Sequence, residues 1–357
     1  MKKLVLMMLV LSLAALSAAG LAEGFDPAEF AGTTLNVYNW GEYIDPQVLR
    51  DFEDEYKVRV NYKTFESNED LWPKLSTGES WDVVVPSDYM IERLIAEDLL
   101  QPLDKSIVNN MDGFVEELYN LPFDPDYTYS APYFWQSMGI IYDTRKISEE
   151  DMEAQGWDAL QNPEYAGHAY MYNSSRDAFM IAEKALGYSA NTTDETEIMN
   201  AYEWLRTMNK NLKPEYVTDD GIDPMVQGMK WLSVDYSGNA AYILSENENM
   251  TYCTPKQGTN IAVDAMVIPK NAKNPKLANV FIRYILTEEV SEAISLEVGY
   301  ASPNAKVLAK LSGPGGEFED NVAYLPREGY ELDEKYVDLP EDWRVRQPDL
   351  WLHVMAE

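Results

Sequence analysis

Between Val37 and Ile95 the sequence alternates strand and helix signals three times in series, and this stretch narrows the fold more than any other. Val37-Tyr38-Asn39-Trp40 begins as a strand and breaks at Gly41. A helix then opens where Asp45 can cap and Pro46 takes the first position, with Val48, Leu49, Phe52 and Tyr56 as its apolar face. Val58 to Tyr62 alternates as a strand, and Ser67 with Asp70 forms a capping box for a helix over 67–75. Trp81 to Val85 is a near-continuous apolar strand ended by Pro86. Ser87-Asp88-Tyr89 starts a third helix, with Met90, Ile91, Leu94 and Ile95 facing inward. Such a series predicts parallel strands joined by right-handed crossovers.

Ligands of open α/β sheets bind outside the carboxyl ends of the strands. The first such end presents Trp40, Glu42 and Tyr43, two aromatic faces with an acid between them, which suits a cation. The same aromatics would also serve as core at a strand-to-helix turn.

A second α/β pattern follows the looser, Pro- and Asp-containing stretch 102–126. Tyr129 to Tyr142 is extended and aromatic, suited to crossing between lobes. Ala169 to Tyr172 reads as a strand, 174–186 as a helix with Gly187 past its end, and Asp194 to Lys210 as another helix. Trp231 to Tyr236 is a strand broken by Ser237-Gly238. Ile261 to Ile268 is a strand leading to a helix from Pro275 to Leu286, and 299–303 is a sharp loop. Trp343, Leu350, Trp351 and Leu352 end the acidic tail as a docking helix.

At 357 residues the chain is long enough for two domains. Its 61 acids against 28 bases give a net charge of −33, which argues against a nucleic-acid partner. Lys2 and Lys3 precede an apolar run, Leu4 to Leu16, too short to span a bilayer, and Gly20-Leu21-Ala22 allows cleavage. Residues 1–22 are therefore expected to be a signal peptide. The sole cysteine, Cys253, is far from that cut, so neither a lipid anchor nor an internal disulfide is expected, and no later run suits direct membrane insertion.

Support for catalysis is thin. The two histidines, His168 and His353, sit near no nucleophile motif. No Gly-x-Ser-x-Gly, Walker or Gly-x-Gly-x-x-Gly sequence occurs, no zinc spacing exists, and no cofactor is expected. Binding residues, by contrast, recur at strand ends. Ser87 and Tyr89 follow the third strand, although Ser87 is also a natural helix cap. Asp177 lies three residues after Ser174, where the acid of a capping box would also stand. Tyr236 ends its strand, and Tyr300 sits in the Gly299-to-Pro303 loop. Asp264 lies in the middle of an apolar strand, a costly place for a carboxylate unless it is paired or faces a cleft.

Five motifs in order, Tyr38-Asn39-Trp40-x-Glu42-Tyr43, Val84-Val85-Pro86-Ser87-x-Tyr89, Arg176-Asp177-x-Phe179, Asp264-x-x-x-Ile268-Pro269 and Gly299-Tyr300-x-x-Pro303-Asn304, resemble the spermidine/putrescine-binding proteins of ABC importers. The resemblance runs from about Leu35 to about Ala305. It implies an α/β, two-lobed periplasmic-binding fold of type II, each lobe a central sheet flanked by helices with the cleft between. One lobe would hold 33–135 plus 262–305, the other 136–261 plus 306–357. Trp40 and Tyr43 would line the cleft, Glu42 would reach an amine through water, and Ser87 and Tyr89 would bound the same wall. Asp177 and Asp264 would pair with ammonium groups while Tyr236 and Tyr300 stack along the methylene chain. Gly41, Asp88, Ser174 and Asn239 stand beside these positions as further candidates.

Three positions depart from the family pattern. Ala262 replaces a Trp common two residues before the cleft Asp, and Ser174 and Asn239 replace acids seen in some members. The expected protein is an exported, periplasmic, monomeric and non-enzymatic carrier of a small cationic polyamine, delivered to ABC permease subunits. The alternatives are the same fold binding an amino-acid-like, opine or sugar solute, and a secreted hydrolase using two carboxylates.

Overall fold

The computed structural model describes residues 26–327 and 329–357, so the signal peptide expected over 1–22 lies outside the described residues. The three strand–helix units form as their sequence signals require. β1 (Thr34–Trp40) is followed by α1 (Pro46–Tyr56), which Asp45 caps by accepting from the Gln47 amide, with Val48, Phe52 and Tyr56 buried. β2 (Arg59–Phe65) leads to α2 (Asn68–Ser76), capped by Ser67. β3 is only Val83–Val84, shorter than the 81–85 expected, although Asp82 and Val85 still donate to backbone carbonyls of β1. α3 (Asp88–Ala96) and β4 (Leu100–Gln101) complete this part.

β5 (Ser130–Asp143) is a 14-residue strand buried at every position. After α4 (Glu149–Gln155) come β6 (Ala169–Tyr172), α5 (Ser175–Ala185), α6 (Glu195–Leu212), β7 (Glu215–Val217) and the short α7 (Ile222–Val226). β8 (Leu232–Tyr236) runs straight into α8 (Ser237–Glu246), where the sequence reads Ser237-Gly238 as a break. β9 (Met250–Cys253), β10 (Ile261–Pro269), α9 (Pro275–Ile285), α10 (Glu288–Val298), α11 (Ala305–Ser312) and α12 (Glu341–Ala356) finish the chain.

The strands hydrogen-bond in the order β2-β1-β3-β10-β5-β8-β6-β7, with β4 on β10 and β9 on β5. β1 is parallel to β2 and β3, and β6 is parallel to β7 and β8, the two groups that right-handed crossovers generate. Between them lies an antiparallel pair. β10 runs against the first part of β5, from Ser130 to Ser137, and β8 and β9 run against its remainder, from Met138 to Asp143. One apolar cluster contains Leu35, Phe52, Phe134 and Phe281, and another contains Met171, Phe179 and Leu205. In α12, Trp343 and Trp351 are buried against the second cluster, whereas Leu352, expected to dock, is exposed. Among the described residues no helix is long and apolar enough to cross a membrane.

Candidate functional site

The ends of β1 and β8, the start of α3, and one face of the β5–β10 pair converge on a cleft with two joined halves. One half surrounds Asp177 and the other Asp264, each partly open to solvent. Trp40, Glu66, Ser87, Gln136, Tyr172 and Tyr236 line both, so the halves are adjacent.

Asp264 is 1 % exposed on β10. Its Oδ2 accepts from Tyr43 Oη at 2.6 Å and Gln136 Nε2 at 3.0 Å, and its Oδ1 accepts from Ser87 Oγ at 2.7 Å. All three donors are neutral, and burial pushes the carboxyl up to about 6 despite the Tyr43 and Ser87 bonds. Ser87 occupies the N-cap position of α3 but makes no cap bond, because its hydroxyl is committed to Asp264. The expectation of a capping Ser87 is corrected in that respect. The backbone here is irregular as well, with a register shift between Asp264 and Ala265 and a bridge between Ser87 and Asp264.

Asp177 opens α5, where its backbone amide donates to Ser174 Oγ at 3.3 Å. Its carboxylate does not act as the acid of a capping box. It accepts from Tyr236 Oη and Tyr336 Oη, each at 2.7 Å, and again both donors are neutral. Burial and the Asp177 charge push the Tyr236 hydroxyl well above its ordinary value, so it stays protonated and donating.

The aromatic wall is built from fixed rings. Trp40 donates Nε1 to the Val85 carbonyl at 2.8 Å and lies 4.5 Å from Phe65. Tyr43 meets Tyr300 edge-on at 4.7 Å, and Tyr172 meets Tyr236 edge-on at 4.9 Å. Tyr300 packs on Gly238, where a Cβ would lie 2.1 Å from the ring, and its hydroxyl donates to Asn239 Oδ1 at 3.1 Å.

The remaining candidates take different places. Gly41 lines the Asp264 half, where its missing Cβ leaves room for the Asp219 carboxylate. Tyr89 and Ser174 line the Asp177 half. Glu42 is exposed in a left-handed turn and forms no part of either wall. Asp88 is buried and bonds the Tyr89 amide at 2.7 Å, and burial pushes its carboxyl up to about 8. It too lies off the cleft walls. Asn239 supports Tyr300 from behind and donates to Asp235 at 2.9 Å.

Sequence reasoning missed Gln136, Tyr172, Asp219 and Tyr336. Burial, with Glu42 and Glu66 nearby, pushes the Asp219 carboxyl up to about 7. Tyr172 ends its strand as Tyr236 does, a signal that was available. The other three come from a strand interior, a three-residue 3-10 helix and the tail, and no local pattern marks them.

A slot with carboxylates at each end and aromatic sides, set among two groups of parallel strands, defines a solute-binding protein. The chain belongs to the bacterial extracellular solute-binding protein family, which it matches over residues 47–326. Within it, the chain is 34% identical over 300 residues to the spermidine/putrescine-binding periplasmic protein of Salmonella typhimurium, covering 83% of this chain and 85% of that one. It is 30% identical over 332 residues to the putrescine-binding periplasmic protein PotF of Escherichia coli, covering 86% and 89%. The crystal structure of the spermidine/putrescine ABC transporter substrate-binding protein PotD from Streptococcus pneumoniae superposes with a TM-score of 0.74 at 33% identity, covering 91% of this chain and 99% of that one.

Proposed function

We propose that this protein is an exported, monomeric, non-enzymatic carrier that binds a polyamine in the cleft and delivers it to the permease of an ABC importer. The observation that carries the reading is a pair of buried carboxylates, Asp177 and Asp264, whose side-chain hydrogen bonds come only from neutral donors. A buried carboxylate without a cationic partner is costly, and an ammonium group would offset that cost. The rings of Trp40, Tyr43, Tyr236 and Tyr300 suit the methylenes between the charges, and a cation–π contact with an ammonium group contributes about 0.5–2 kcal/mol. Residues 33–135 plus 262–305 would form one lobe and 136–261 plus 306–357 the other. Contacts such as Tyr300 with Gly238 and Asn239 would then hold the closed state. Glu42, exposed at the rim, acts by its charge on the approaching cation rather than by contact.

A second reading has its own support. Arg176 Nε and Asn260 Nδ2 are buried donors without partners among the described residues, and both side chains line the Asp177 half. A solute carrying a carboxylate as well as an amine, such as an amino-acid-like ligand, would satisfy them.

Thermal unfolding of the mature protein against putrescine, spermidine, spermine, lysine, arginine and sugars separates the two. Saturation at a hundredfold over the dissociation constant stabilises the folded state by about 2.7 kcal/mol. A rise with polyamines supports the first reading. A rise only with lysine or arginine supports the second.

A further inference from the structure

Gln136 stands directly across the antiparallel β5–β10 pair from Ala262, so the two side chains share one face of the sheet. Both line the Asp177 half of the cleft. Alanine contributes only a methyl group, and the longer amide occupies the cleft beside it. Gln136 is 6 % exposed and borders both halves, which places it where they join. Its Nε2 donates to Asp264 Oδ2. An ionised carboxylate only accepts, so this bond sets the amide orientation and leaves the carbonyl directed away from Asp264. That carbonyl oxygen, Oε1, has no hydrogen-bond partner among the described residues. A buried acceptor left unmade costs free energy that a ligand donor would recover.

We propose that Gln136 Oε1 accepts a hydrogen bond from an internal N–H of the ligand, making Gln136 a specificity-determining residue that favours triamines over diamines of equal length. The inference rests on the polyamine reading and deepens it. Asp177 and Asp264 take the terminal ammonium groups, and the rings of Trp40, Tyr172 and Tyr236 take the methylenes. At the join Gln136 Oε1 is an enclosed acceptor without a partner among the described residues. Glu66 borders the same space, but it is exposed and shares its carboxylate with water. A secondary ammonium at the join gives Oε1 a charged donor. A methylene there leaves the oxygen unpaired.

Spermidine and 1,8-diaminooctane have the same chain length and differ in one internal secondary ammonium against CH2. Calorimetric titration of the mature wild-type protein is expected to show spermidine binding more tightly by about tenfold or more. In Gln136→Leu the spermidine affinity should fall by about the same factor while that of diaminooctane holds or improves, so the preference disappears. Any disturbance of Asp264 by the lost amide affects both ligands and cancels in the ratio. An equal loss for both ligands in the variant, or no preference in the wild type, would overturn the role of Gln136 alone. If the leucine variant does not fold, Gln136→Met, which keeps the side-chain length and removes the acceptor, is measured in its place. Failure of the folded wild type to bind either amine overturns the polyamine reading and this inference together.

Discussion

Asp264 shows how a single residue can be read from sequence and then understood only in three dimensions. Its place within Ile261-Ala262-Val263-Asp264-Ala265-Met266-Val267 marks it as a costly acid, and that cost is legible in the chain. Its partners Tyr43, Ser87 and Gln136 come from elements up to 221 residues away, which no local pattern gives. Gln136 itself is one polar side chain in an aromatic strand, and its meaning depends on the register that sets it opposite Ala262. Asp264→Asn is expected to weaken polyamine binding by at least about 1.5 kcal/mol, measured by calorimetry, because the ammonium loses a charged partner. Unchanged affinity would remove Asp264 from the site. On the proposed reading the ionised form is the one that would bind, and burial places the carboxyl at about 6. Affinity in the wild type should therefore fall as the pH drops from 7.5 to 5, and Asp264→Asn should flatten that part of the profile.

At the scale of elements, four helices were legible with their caps, as Asp45, Ser67, Ser174 and Asp194 each accept from an amide of the first turn. α8 was not legible, because Ser237-Gly238 directly after the strand reads as a break rather than as the start of a helix. The antiparallel insertion of β10 was equally hidden, since an apolar run shows that a strand exists but not which way its neighbour runs. α8 also has to approach the Tyr300 loop closely at Gly238. Gly238→Ala is expected to displace the Tyr300 ring and break its bond to Asn239, lowering ligand affinity by about tenfold or more while circular dichroism keeps its helical signal. Wild-type affinity in that variant would show that the contact has no part in binding.

Across the whole molecule, 61 acids place several carboxyls where burial raises them: Asp88 to about 8, Asp219 and Asp235 to about 7, and Asp264 to about 6. Unfolded carboxyls titrate near 3.9. Each of these groups therefore binds its proton more tightly in the folded state. The stability they contribute is fully present below about pH 4 and is lost as pH rises through their folded values. Asp143 and Glu334 have the opposite shift and act below that window. The ligand-free protein is thus expected to melt at a higher temperature at pH 5.5 than at pH 8 by calorimetry, and a polyamine should raise the melting temperature most at pH 8. A flat profile would mean that these acids are solvated. The lobed architecture was legible only through five dispersed motifs taken together, whereas the net charge restricted partners without choosing among folds. The central claim, that carboxylates in both halves of the cleft hold a polyamine, is tested most directly by calorimetric titration of spermidine into the wild type and an Asp177→Asn, Asp264→Asn double variant at pH 7.5. The account predicts one saturable site in the wild type and a loss of at least about 3 kcal/mol in the variant, about 1.5 for each charge. Saturable binding of equal strength in both proteins would contradict it.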